Sequence, residues 1–120
     1  MARTPASSAR IGATVQVGFV FRDEEGALTT MTAVDFKAYR RGVLLESFAQ
    51  DDARVELDAT LAVALAADLG LTTAENTAGT GIVAVNYIPA TAGSYALYAD
   101  GVAPVDDAAT VHFVVLDEND

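Results

Sequence analysis

The chain has no cysteine and no tryptophan, a single histidine, three prolines, and seven basic residues against seventeen acidic ones in 120 positions. Without cysteine there is neither a disulfide framework nor a thiolate metal site, so the core must hold without covalent help. A hydrophobic content of 52% is sufficient for that in one domain of this length. No apolar run approaches the length of a membrane span. The shortage of bases leaves a net charge of −10, and because Met1 to Arg10 hold two bases and no acid, the rest of the chain carries −12. A body of that sign repels phosphate, which argues against nucleic acid and against an anionic membrane surface as partners. The opening segment, MARTPASSAR, lacks the apolar core of a signal peptide, so synthesis in the cytoplasm without export is expected.

The catalytic inventory is equally short. No serine sits in a nucleophile motif, there is no thiol, and His112 lies inside an alternating strand pattern, where a histidine is ordinarily a hydrogen-bonded structural residue. Asp23-Glu24-Glu25-Gly26 lacks the alternating oxygen ligands of a calcium loop and reads as a solvated turn. Asp51-Asp52 and Asp106-Asp107 fall in loops with no aromatic sugar cleft beside them. The glycines of Thr77 to Gly81 are not followed by the lysine of a phosphate-binding loop, and Asn76-Thr77-Ala78 is not a glycosylation acceptor. These residues point to a protein that is not an enzyme, with no catalytic residue, no cofactor and no metal.

What the chain does contain is strand pattern. Ile82 to Ile88 is apolar on both faces and ends at Pro89; Thr91, Ala92 and Gly93 supply turn residues, after which Tyr95, Leu97 and Ala99 alternate with Ala96 and Tyr98. Upstream, Val15, Val17, Phe19 and Phe21 form one apolar face, and Val34, Phe36 and Ala38 form another, with a hairpin turn at Arg40-Arg41-Gly42 leading into Val43 to Phe48. Val55 and Leu57 suit a short strand. Asp100-Gly101 reads as a tight turn, Val102 to Asp107 as a loop, and Thr110 to Leu116 as an interior strand with both faces mostly apolar. Segment 58–69 carries two patterns. Asp58 as an N-cap, Gly70 as a stop and leucines at 57, 61, 65 and 69 suit a short helix between the sheets or over one end, while Leu61, Val63 and Leu65 alternate as a strand would. Leu71 to Gly81 reads as a loop.

Pro89, Ala92, Gly93, Ser94 and Tyr95, in the pattern P-x-x-A-G-x-Y, resemble the late-strand corner of immunoglobulin-like domains, with Leu97 standing where antibody domains carry a cysteine. The resemblance implies an all-β, antiparallel immunoglobulin-like sandwich of about seven strands. It also implies that the Tyr95 hydroxyl bonds back to nearby backbone, which makes Pro89, Gly93 and Tyr95 a structural corner. The expected organisation is an extended arm over 1–12, the sandwich over 13–117 and an acidic tail over 118–120.

In organisation, a sandwich with a polar arm, no signal peptide and no catalytic set resembles the decoration, head-completion and tail-associated proteins of tailed bacteriophages. That resemblance implies a structural protein of the virion whose partners are capsid or tail subunits, with a homo-oligomer left open. The contacts would come from Arg3 and Arg10 in the arm, Arg40 and Arg41 at the hairpin tip, and Thr77 and Thr80 in the 71–81 loop. The alternative is a carbohydrate-binding or adhesin module, which needs ring faces in water from Tyr39, Tyr87 or Tyr98.

Overall fold

The computed structural model of the protein describes residues 2–3 and 8–117. Among these, nine strands and two short helices occur in the order β1 (Ala2–Arg3), β2 (Ser8–Arg10), β3 (Val15–Val20), β4 (Ala33–Arg40), β5 (Val43–Ala49), β6 (Val55–Leu57), α1 (Val63–Asp68), α2 (Thr73–Ala78), β7 (Ile82–Tyr87), β8 (Gly93–Ala103) and β9 (Asp107–Leu116). One sheet runs β1-β3-β7-β6 and the other β2-β9-β8-β4-β5. With the arm counted, this is the immunoglobulin-like arrangement of two packed sheets, one of them carrying an extra edge strand after the β4 hairpin.

Alternation places the core. Val15, Val17, Phe19, Val83, Val85 and Tyr87 from the four-stranded sheet meet Val34, Phe36, Leu97, Val111, Phe113 and Val115 from the five-stranded one. The β4–β5 hairpin turns on two residues, Arg41 and Gly42, both with positive φ (52° and 80°), the primed turn whose twist matches the flanking strands. The corner follows the resemblance: the Tyr95 hydroxyl donates to the Thr91 carbonyl at 2.7 Å and lies 3.0 Å from the Thr91 hydroxyl, so the ring is buried with its oxygen satisfied.

Several expectations are corrected. The described parts of the 1–12 arm are built into the sandwich: β1 pairs antiparallel with β3, and β2 pairs parallel with β9. Residues 4–7 of that arm, and the 118–120 tail, lie outside the described residues. Strand β8 runs through Asp100-Gly101 to Ala103, because Gly101 packs inward where a Cβ would lie 2.5 Å from the Phe21 ring and 3.0 Å from the Met31 methyl. The loop after it shrinks to 104–106. Strand β9 is interior in sheet order, yet Thr110 borders one open face on which His112 and Val114 are exposed, so His112 is not a core residue.

The largest correction concerns 58–81. Within 58–69 the helix is confined to α1, its N-cap is Ala62 without a side-chain bond, and Asp58 is no cap at all. Asp58 adopts φ 50°, and its carboxylate accepts from Gly81 N and the Thr30 hydroxyl, while Ala59 N donates to Ile82 O, tying the insert's two ends together. The supposed 71–81 loop contains α2, started by a capping box in which Glu75 N donates to Thr72 Oγ1 (3.1 Å) and Thr72 N donates to Glu75 Oε1 (2.9 Å). Asn76 is buried and pairs both ways with the backbone of Leu61. The insert roofs the outer face of the four-stranded sheet: Leu61, Leu65, Leu69 and Leu71 pack on Val20, Ile82 and Ala84. Gly18 admits it, since a Cβ at that position would stand 2.8 Å from a Leu61 methyl.

Candidate functional site

The strand register decides where the candidate residues lie. Arg40 opposes Tyr95 at the end of β4, Gly93 opposes Val115 on β9, and Arg10 opposes Leu116 on β2. Arg10, Arg40 and Arg41 therefore come to one end of the five-stranded sheet, spread over four neighbouring strands, a span of about 14 Å at the usual strand spacing. The corner organises them. Arg40 Nε donates to the Ala92 carbonyl at 2.7 Å, and Arg41 N donates to Ser94 O at 2.8 Å. A Cβ at Gly93, whose φ is 142°, would stand 3.0 Å from Arg40 Nε and 3.2 Å from Arg41 Nε. Arg10 donates to the Asp117 carbonyl at 2.6 Å, and Gly12 N donates to Pro89 O, which fastens the arm to the same corner.

The other candidates go elsewhere. Arg3 stands opposite Gly18 on β1 in the other sheet. Thr77 is exposed on α2, its hydroxyl donating to Thr73 O, and Thr80 is exposed between Gly79 and Gly81, beside the far end of β3. At that far end an open hollow is lined by Arg22, Asp23, Glu24, Glu25, Asp106 and Asp107. Asp23 there accepts from the backbone of Glu25 and Ala27, closing the turn on itself. Among the described residues no group of three His, Cys, Asp or Glu side chains is placed to hold a metal ion. Arg10, Arg40 and Arg41 thus gather at the corner end, beside Asp117, and carboxylates gather at the 23–25 and 106–107 end.

Two further features bear on the candidates. The first closes the open side of the sandwich between β5 and β6. Arg54 donates to both oxygens of Glu46 (3.0 and 2.8 Å) and to Asp52 Oδ1 (2.9 Å), its guanidinium lies 4.3 Å from the centroid of the Phe48 ring, and the Tyr87 hydroxyl donates to Glu46. The hydrogen bond from Arg54 holds the Glu46 and Asp52 carboxyls below their ordinary pKa values, and burial followed by the Glu46 charge pushes the Tyr87 phenol up to about 12. Tyr87 is consequently a buried edge-to-face partner of Tyr95 and Phe113, not a sugar platform.

Carboxylates with depressed pKa values stabilise the fold above their unfolded values near 4 and lose that contribution as pH falls through the folded values. Acidification from pH 5 to 3 is expected to remove about 1 kcal/mol here, a figure already discounted for the partial exposure of the cluster. Thermal unfolding of Arg54→Leu against the parent across that interval checks it: the variant should show the flatter pH dependence.

The second feature is the outer face of the five-stranded sheet, where Asp35, Lys37, Ser47, Tyr98 and Asp100 border a shallow hollow. Tyr39 and Tyr98 are half-buried on this face, with no ring contact between them among the described residues.

No protein-family profile and no curated protein matches the chain. Among solved structures it is similar to the CARDB domain of the PF1109 protein from Pyrococcus furiosus, in complex with di-metal ions, at 10% identity and a TM-score of 0.42 over 98% of this chain and 93% of that one. It is also similar to extracellular domains 3–5 of Drosophila OTK, at 12% identity and a TM-score of 0.39, over 96% of this chain and 34% of that one.

Proposed function

We propose that this chain is a non-enzymatic structural module that binds a protein assembly end-on, as a capsid-decorating, head-completing or tail-associated component of a virion. What supports the reading is the gathering of Arg10, Arg40 and Arg41 at one end of a body of net charge −10, with the arm fastened there by its own backbone pairing. Bases collected against the sign of the whole molecule suit an acidic protein surface, and phosphate partners remain disfavoured by the rest of the field. The roof of helices occupies the outer face of the four-stranded sheet, leaving the ends and the five-stranded sheet for contacts.

The test is immunolabelling of particles purified from cells that encode the chain. Parent protein should label virions at a fixed copy number, and Arg10→Glu with Arg41→Glu should cut retention by more than about tenfold, two rim charges at about fivefold each. Label confined to the cell envelope, or retention indifferent to both changes, would overturn the reading. The hollow beside Tyr98 favours a second reading, a carbohydrate-binding module. Binding on a glycan array that Tyr98→Ala abolishes would establish it in place of the first.

A further inference from the structure

Strand β5 is an edge with three exposed apolar side chains in a row. It ends the five-stranded sheet, and Val43, Leu44 and Leu45 on it are 65%, 49% and 48% exposed. Edge strands of soluble proteins are guarded by lysine or proline, by an inward-pointing charge or by a bulge, and of these β5 has only the inward Glu46 and one register step. Val43–Ala49 has no lysine or proline, and its single charge, Glu46, is turned away to Arg54 and Tyr87. The register step in the β4–β5 ladder pairs Glu46 with Ala38 and Leu44 with Tyr39, which leaves Leu45 outside that ladder. The flanks of the strand carry opposite charges. The turn before it holds Arg41, the turn after it Asp51 and Asp52, and Arg41 and Asp51 are exposed.

We infer that β5 is a self-pairing edge: two copies of this chain join antiparallel along Val43–Ala49, so that Arg41 of each copy meets the acidic turn at Asp51 of the other. The charges choose both partner and direction. An antiparallel pair of identical strands, related by a two-fold axis at Glu46, brings the basic turn of each against the acidic turn of the other twice over, while each Glu46 at the axis stays paired to its own Arg54. A parallel pair would set arginine on arginine and aspartate on aspartate. In that register Leu44 of each copy stands opposite Phe48 of the other and Leu45 opposite Ser47, in a molecule whose net charge is −10. The contact is a single strand edge, smaller than a standard interface, so the dimer is weak and reversible, with Kd on the order of 10–100 µM.

Sedimentation equilibrium of the full chain up to 1 mM at physiological ionic strength tests this. A monomer–dimer equilibrium is expected. Arg41→Asp should weaken it about tenfold, since each dimer contains the pair twice. Aspartate tolerates the left-handed backbone before glycine, so the hairpin survives that change. Asp51→Arg should weaken it equally, the double reversal should restore it to within about threefold, and Leu45→Lys should leave a monomer. A monomer at every concentration, or a dimer that the charge reversals leave unchanged, would overturn the inference. Arg10→Glu lies off this edge and should leave the dimer intact, so failure of self-pairing and failure of end-on particle binding are read separately.

Discussion

Phe36→Ala is expected to remove about 3–5 kcal/mol of stability and to lower Tm by roughly 10–20 °C. Phe36 has no exposed surface and sits on β4 between two other rings, 5.9 Å from Phe19 across the sandwich and 5.2 Å, stacked, from Phe48 on its own sheet. Alanine there forfeits the transfer energy of a large ring and opens a void whose walls are held by two sheets, which gives it little freedom to collapse. The ring pairs add a smaller geometric contribution. Thermal and denaturant unfolding measure the loss. Phe48→Ala should cost distinctly less, because Phe48 is half-buried and covered on one side by the Arg54 guanidinium. An equal loss at both positions would contradict the packing described.

Leu65→Ala should cost about 2–5 kcal/mol. Leu65 is fully buried in the second core, the one trapped between the insert and the four-stranded sheet. Strands β3 and β7 carry both cores on their opposite faces: Val17, Phe19, Val83 and Val85 face the first, Val20, Ile82 and Ala84 the second. A change in one core is thereby felt by the strands that form the other, and a single unfolding transition at lower temperature is expected. Amide exchange supplies the control. If residues 59–81 lost protection while β7 kept its own and Tm held, the insert would be a separate unit.

How much of this was legible depended on whether backbone or side chain carried the information. Period-two patterns announced β3, β4, β7 and the start of β8, because a half-buried strand must alternate. The hairpin at Arg41-Gly42 and the Tyr95 corner were readable for the same local reason. Strands β1 and β2 gave no signal: two or three residues paired through backbone alone need no pattern. The roof was missed although Gly18, Val20, Ala84 and Ile82 make the second faces of β3 and β7 apolar, and it is the nearby leucines that cover them. Thr72 and Glu75 spelled a capping box that a glycine-rich, apparently aperiodic segment concealed. Asp100-Gly101 imitated a turn because the reason for glycine there, the Phe21 ring, lies eighty residues away in the chain. The Glu46–Arg54 clamp and the meeting of Arg10 with Arg40 and Arg41 required the sheet order, which no local pattern encodes.

The carboxylates of the 23–25 and 106–107 loops lie together at one end of the molecule, opposite the end that holds Arg10, Arg40, Arg41 and Asp117. A gathered cluster of like charge biases the approach of an oppositely charged surface, and this steering fades as salt shortens the Debye length. On a positively charged support the 23–25 and 106–107 loops are a surface that the field draws inward.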